Sequence, residues 1–71
     1  MYLNLYLLDI FVAVVEEGSF KKAGERFTLS PSAVSSYMQR LEKSLGKSLF
    51  KQTKGEILLT KDGMIVMEYA L

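Results

Sequence analysis

Apolar residues recur along this chain at the three- and four-residue spacing of amphipathic helices. The first helical segment covers residues 4–17, and its apolar positions define one face: Leu5, Leu8, Phe11, Val12 and Val15. Gly18 follows directly and can adopt the left-handed conformation that ends a helix without steric cost. The pattern predicts a first helix that packs through this face and serves as scaffold.

A second and a third helix follow, with a very short break between them. Ser19 is a preferred N-cap residue, and residues 20–27 place three residues at helical spacing: Phe20, Ala23 and Phe27. Only residues 28–30 separate this helix from the next one, so the two helices must cross at a steep angle. Two helices joined by so short a turn form a helix-turn-helix motif.

The third helix, residues 31–45, has two contrasting faces. Ser30 is a preferred N-cap residue, and Pro31 suits the first helical turn. Gly46 follows the last helical residue and can end the helix. One face is apolar: Val34, Met38, Leu41 and Leu45. The other is polar and then cationic: Ser32, Ser35, Ser36, Gln39, Arg40 and Lys43. Because hydroxyl and amide groups can contact base edges and cations can contact phosphates, the pattern predicts a recognition helix in the major groove of DNA.

After residue 46 the helical periodicity stops. Residues 47–59 contain a glycine-bearing turn cluster followed by an apolar run, which predicts a β-hairpin with Lys51 and Lys54 near its tip. A basic hairpin directly after a helix-turn-helix is a wing that can contact the DNA backbone or minor groove. An ordinary connecting loop is the alternative.

Thr60 caps a last helix that is apolar almost all round and continues to the end of the chain. About eleven residues are too few for a stable isolated helix, so this one must pack on the domain, on a partner chain, or on both. Because the pattern is interrupted at residue 71, we expect a truncated chain. The apolar stretch of residues 5–15 is too short to span a bilayer and no basic segment precedes it, so neither a membrane segment nor a signal peptide is expected.

The predicted fold is mainly α, a winged helix-turn-helix with a three-helix core, a short two-stranded β wing and the start of a fourth helix. Residues 1–60 form the DNA-binding domain in this interpretation, and residues 61–71 begin a linker or dimerisation helix. At 71 residues and 49% hydrophobic content, the chain is one small domain that can build a core.

The net charge of +1 conceals an uneven distribution. All nine basic residues lie between Lys21 and Lys61, together with three acidic residues, so this span carries a net charge of +6. The asymmetry suggests one face turned toward an anion, although a mixed solvated surface explains the charge equally well. Lys22 lies in the first turn of the second helix, where a cation opposes the helix dipole. A docked phosphate would account for it, and an ordinary surface lysine is the alternative.

The residue types exclude several kinds of chemistry. The chain has no His and no Cys, which excludes disulfides, thiol catalysis and the usual transition-metal sites. It also lacks a glycine-rich phosphate loop and facing carboxylates, and no base is available to activate its serines. We therefore expect no enzymatic activity and no cofactor.

The ordered set of motifs resembles one family. It begins with the segment Phe11–Phe20, and the matching positions that follow are Ala23, Glu25-Arg26-Phe27, Leu29-Ser30, Ala33-Val34-Ser35, Leu41-Glu42, Leu45-Gly46, Leu49-Phe50, Thr53, Leu59-Thr60 and Gly63. Together they resemble the N-terminal winged helix-turn-helix domain of LysR-type transcriptional regulators, over nearly the whole chain.

The resemblance implies a cytoplasmic, nucleoid-associated prokaryotic regulator that binds double-stranded operator DNA as a dimer or tetramer. It implies that the terminal helix would pair two subunits in the full-length protein and that an effector domain would follow. No small-molecule effector site is then expected in these 71 residues. The family often has Gln-Pro where this chain has Pro31-Ser32, Arg at Ser36 and at Gln52, and Ala-Ala at Ala23-Gly24. These differences remove an amide and two cations, which implies a different operator or weaker binding.

Ser35 matches the family's DNA contacts at the start of the recognition helix. The residues expected to contact base edges are Ser32, Ser35, Ser36 and Gln39. Those expected to contact phosphates, or to act from the wing, are Lys22, Ser30, Arg40, Lys51 and Lys54. Specificity should also depend on DNA shape and on two half-sites about one helical turn apart. The alternative function is a winged-helix protein-interaction module with little DNA affinity, in which the apolar terminal helices bind a partner.

Overall fold

The computed structural model describes residues 5–53 and 56–70, which form four helices and one hairpin. In chain order the elements are α1 (Leu5–Glu17), α2 (Phe20–Phe27), α3 (Pro31–Leu45), β1 (Phe50–Thr53), β2 (Glu56–Leu59) and α4 (Lys61–Ala70). The strands pair antiparallel, with Phe50 opposite Leu59 and Thr53 opposite Glu56. This arrangement confirms the predicted winged helix-turn-helix.

Side-chain caps and left-handed glycines fix the helix boundaries at the predicted positions. The hydroxyls of Ser19, Ser30 and Thr60 accept backbone N–H groups of α2, α3 and α4 at 3.0–3.2 Å. Gly18 and Gly46, which follow α1 and α3, both have a φ of 67°. The serine and threonine caps satisfy N–H groups that have no partner within their own helix.

The turn between α2 and α3 contains a conformation that the sequence did not indicate. Thr28 has a φ of 58° and is the only described non-glycine residue with a positive φ. Leu29 N–H then donates to the carbonyl of Gly24 at 2.8 Å, which closes the end of α2. The left-handed residue reverses the chain within three positions, so α3 can start beside α2.

The core lies between α1, α2 and α3, and its seven largest fully buried side chains are Phe11, Ile10, Met38, Leu41, Leu49, Val14 and Val34. The predicted inner face of α1 was wrong by about one residue. Leu5 is 74% exposed, and Leu8, Val12 and Val15 are only half-buried against the core. Phe11 is buried as predicted, together with Leu7, Ile10 and Val14. Because α1 is apolar almost all round, two adjacent stripes satisfy the helical spacing, and only packing against α2 and α3 selects between them.

Helix α4 packs closely on the start of the wing. A Cβ atom at Gly63 would overlap the carbonyl oxygen of Leu49 and lie 2.9 Å from Leu59 Cδ2, so glycine permits this approach. The hydroxyl of Thr60 also donates to the carbonyl of Ser48, which ties the helix start to the same segment. The outer side of α4 leaves Met64, Ile65 and Tyr69 exposed. None of the helices in the described ranges is long and apolar enough to cross a membrane.

Candidate nucleic-acid interface

Helix α3 presents its polar face to solvent, because its apolar stripe faces the core. Val34, Met38 and Leu41 are buried. The exposed positions on the other side include Ser32, Ser36, Gln39, Arg40 and Lys43. Ser35 is half-buried at the edge of this surface. The structure thus brings together all the residues predicted to contact base edges, along about two turns of one helix.

The serines at the start of α3 are linked to the cap. Ser30 Oγ accepts the backbone N–H of Ala33 at 3.2 Å and lies 3.3 Å from Ser32 Oγ. Ser30 therefore has a structural role at the N-cap, alongside its predicted phosphate contact. Ser32 is nevertheless exposed in the first turn of the helix.

A groove separates α3 from the beginning of the wing. It has a volume of about 230 Å³ and is lined by polar groups above an apolar floor: Ser35, Gln39, Glu42, Ser48 and Gln52, with Phe20, Met38 and Phe50. The ring of Phe50 packs at 5.3 Å from that of Phe11 and at 6.1 Å from that of Phe20, which fixes the floor to the core. Within this groove the hydroxyls and amides are neutral hydrogen-bonding groups, and the carboxylate belongs to Glu42.

Glu42 connects the recognition helix to the wing. Its Oε2 accepts the backbone N–H groups of Leu49 at 2.7 Å and of Phe50 at 3.3 Å. The carboxylate thus fixes the position of β1 relative to α3. The sequence placed Glu42 among the family-matching positions and among the acidic residues of the central span, but no pattern in the chain shows which backbone groups a glutamate will accept. The available signal was the position of this single carboxylate beside two cations of the third helix, Arg40 and Lys43.

The cations around α3 differ in whether the fold already neutralises them. In the described part of the chain, the ion pairs are those of Arg26 with Glu16 at 2.9 Å and with Glu17 at 3.6 Å. The hydrogen bond to Glu16 raises the pKa of the Arg26 guanidinium. Arg26 therefore belongs to the α1–α2 contact. Glu16 and Glu17 thus pair with a cation of α2, and neither of these ion pairs involves α3.

The predicted phosphate residues lie on three separate elements. Lys22 is exposed at the start of α2, where its backbone N–H donates to Ser19 Oγ at 3.2 Å. Arg40 is exposed on α3, with its guanidinium carbon 5.8 Å from the ring centroid of Tyr37. Lys51 is exposed on β1 opposite Leu58. Lys54, predicted at the wing tip, lies outside the described residues.

Residues 5–64 match the family described as bacterial regulatory helix-turn-helix protein, lysR family. The chain is 43% identical over 63 residues to the HTH-type transcriptional regulator CrgA of Neisseria meningitidis, covering 89% of this chain and 21% of CrgA. It is 42% identical over 65 residues to the HTH-type transcriptional regulator PerR of Escherichia coli, covering 92% of this chain and 22% of PerR. The chain thus spans about a fifth of the length of these relatives.

Solved structures agree with this assignment. A crystal structure of the CbnR DBD–DNA complex superposes with a TM-score of 0.89 at 32% identity, covering 96% of this chain and 78% of that one. The crystal structure of the BenM DBD in complex with catB site 1 DNA also superposes with a TM-score of 0.89, at 35% identity, covering 96% of this chain and 76% of that one. The matched residues include the helix-turn-helix and the whole wing. The chain therefore belongs to the lysR family of bacterial regulatory helix-turn-helix proteins.

Proposed function

We propose that this chain binds double-stranded operator DNA in a sequence-specific manner, as the DNA-binding domain of a prokaryotic transcriptional regulator. Helix α3 enters the major groove with Ser32, Ser35, Ser36 and Gln39 toward the base edges. The wing, residues 47–59, contacts the backbone or the minor groove. Lys22, Ser30, Arg40, Lys51 and Lys54 contact phosphates.

One observation carries this proposal: the solvent-facing side of α3 combines neutral hydrogen-bonding groups with cations that the fold does not neutralise. Arg40 and Lys43 are exposed there and have no ion pair within the described residues. Two relatives of the same fold, the CbnR and BenM domains, have been crystallised with DNA. Exposed cations without carboxylate partners favour an anionic ligand, because binding releases the counterions of DNA.

The rest of the protein's function follows from the same proposal. Residues 1–60 form the DNA-binding domain, and residues 61–71 begin a helix that links to a further domain and pairs two subunits. The exposed Met64, Ile65 and Tyr69 on α4 are available for that pairing. Any response to a small-molecule effector would depend on residues outside this segment. A regulator of this kind acts at the nucleoid in the cytoplasm and has no enzymatic role.

The alternative is a protein-interaction module with little affinity for DNA. Exposed apolar side chains on β2 and α4 favour it: Leu58, Met64, Ile65 and Tyr69. A salt titration of binding to mixed-sequence duplex DNA separates the two functions. The DNA-binding proposal requires an affinity that falls steeply as salt rises. Absence of binding even at low salt would favour the interaction module.

Replacement of Lys51 by alanine should weaken binding to all duplex sequences to a similar extent. The side chain is exposed on β1 and points away from the core. Loss of one phosphate contact should reduce the slope of log K against log salt by about one. Lys54→Ala should have the same effect. Fluorescence anisotropy at four or five salt concentrations measures both the affinity and the slope.

Arg26→Ala is the matched control for this measurement. It also removes one positive charge, but from a guanidinium that Glu16 and Glu17 already neutralise. Its salt slope should equal that of the unmodified chain. A Lys51→Ala effect that varied strongly with DNA sequence, at an unchanged slope, would contradict the phosphate role.

A further inference from the structure

Three aromatic rings, one each from α1, α2 and α3, pack together beside the core. The ring of Tyr6, on α1, packs edge-on against Phe27 with centroids 5.9 Å apart. The same ring packs edge-on against Tyr37 on α3 at 5.7 Å, with an interplanar angle of 87°. Edge-to-face pairs at these distances are favourable because the positive ring edge meets the negative ring face. Tyr37 is therefore held on two sides, by its own helix and by α1.

The guanidinium of Arg40 lies over the ring of Tyr37, one helical turn further along α3. The distance of 5.8 Å from its central carbon to the ring centroid lies within the range of a cation–π contact. Arg40 remains exposed and has no ion pair within residues 5–53 and 56–70. An arginine that lies on a ring keeps its outward N–H groups available to an acceptor.

The two flanks of α3 are chemically different. Toward the wing, Ser35, Gln39 and Glu42 line a groove without any cation among its lining residues. On the other flank, toward α1, Tyr37 and Arg40 form the stacked pair. Successive residues of a helix are about 100° apart, so these flanks lie on opposite sides of the exposed strip that contains Ser36 and Lys43. A helix in the major groove has a phosphate backbone on each side.

We propose that Tyr37 is a positioning residue for Arg40, and that it holds the guanidinium toward the phosphate backbone on the flank of α3 that faces away from the wing. This inference rests on the proposed DNA binding. The contact restricts the flexible arginine side chain before DNA arrives, so less conformational entropy is lost on binding. Tyr6 supports the arrangement because its ring fixes the orientation of Tyr37.

A double-mutant cycle on duplex affinity tests this role. Arg40→Ala should lower the affinity and reduce the salt slope by about one. Tyr37→Leu keeps an apolar side chain of good helix propensity but removes the ring, and it should lower the affinity about threefold, the magnitude of one exposed cation–π contact. Tyr37→Phe keeps the ring and should bind like the unmodified chain. In the Arg40→Ala background, Tyr37→Leu should cause no further loss.

Several results would overturn the inference. One is an equal loss of duplex affinity from Tyr37→Leu in the presence and in the absence of Arg40. Another is a Tyr37→Leu variant with unchanged duplex affinity. The third is a Tyr37→Phe variant that loses as much affinity as Tyr37→Leu. Failure of the proposed function is distinct, since the unmodified chain would then not bind duplex DNA at any salt concentration. If Tyr37→Leu does not fold, NMR of the unmodified chain tests whether the Arg40 side chain lies on the Tyr37 ring. Stacking requires an upfield ring-current shift of the Arg40 Hδ protons, and random-coil values would contradict it.

Discussion

Replacing Gly24 with valine is expected to lower the free energy of unfolding by about 3 kcal/mol, the upper end of typical overpacking costs. Gly24 is buried in α2 where that helix meets the turn. A Cβ atom there would overlap the carbonyl oxygen of Leu29 and lie 3.2 Å from Val34 Cγ2. Neither neighbour can move freely, since one belongs to the tight turn and the other to the buried face of α3. The two helices would have to separate.

Glu25→Val is the control for this substitution. It places the same β-branched side chain one position further along α2, on an exposed residue. Valine is not a worse helix former than glycine, so propensity cannot explain a loss at position 24. Urea denaturation followed by circular dichroism at 222 nm should show a much lower midpoint for Gly24→Val than for Glu25→Val. Equal midpoints would show that α2 and α3 do not meet closely at this point.

Glu42→Leu is expected to destabilise the domain by about 2 kcal/mol, because it leaves the backbone N–H groups of Leu49 and Phe50 without this acceptor. The N–H of Leu49, a fully buried residue, now donates to the Glu42 carboxylate at 2.7 Å. Leucine fills a similar volume and keeps the helix propensity, so the lost acceptor is the main change. Since the carboxylate also fixes β1 beside α3, duplex affinity should fall as the wing shifts.

Two comparisons isolate the acceptor role of Glu42. Glu42→Gln retains an oxygen that can accept the Leu49 N–H, so it should lower the free energy of unfolding by only about 1 kcal/mol, the difference between a charge-assisted and a neutral hydrogen bond. Glu25→Leu makes the same chemical change at an exposed position of α2 and should leave stability nearly unchanged. Denaturant midpoints and amide hydrogen exchange at Leu49 measure the effect. A Glu42→Leu variant in which the Leu49 amide is still fully protected from hydrogen exchange would contradict the role of the carboxylate.

The sequence indicated the helix-turn-helix and the wing because local signals specify them. Ser19, Ser30, Thr60, Gly18 and Gly46 mark helix ends through cap chemistry that depends on a few neighbouring residues. The polar face of α3 was also predictable, since its apolar stripe leaves only one orientation on the core. Helical spacing therefore identified the surface that carries the proposed DNA contacts.

Other features depend on contacts that are distant in sequence, and these were not predictable. The inner face of α1 was assigned only partly correctly: Phe11 is buried as predicted but Leu5 is exposed, because an apolar helix offers two adjacent stripes and packing selects one. Glu42 was noted as a family-matching position and as an acidic residue, but not as the acceptor of backbone N–H groups seven and eight residues away. The contact of Arg40 with Tyr37 was also missed, although residues three apart on a helix are neighbours; only the packing of Tyr6 against Tyr37 is distant in sequence. The family resemblance did not indicate these contacts either.

An NMR titration of the ¹⁵N-labelled chain with duplex DNA at low salt tests the central claim most directly, because it maps the contact surface residue by residue. The proposed function predicts that the largest amide shifts fall on residues 32–43 of α3 and on the wing, together with the start of α2. The amides of α1 near Glu16 and Glu17, which lie at the ion pairs with Arg26, should remain unchanged. Shifts centred on the exposed apolar residues of α4, or no shifts at all, would contradict it.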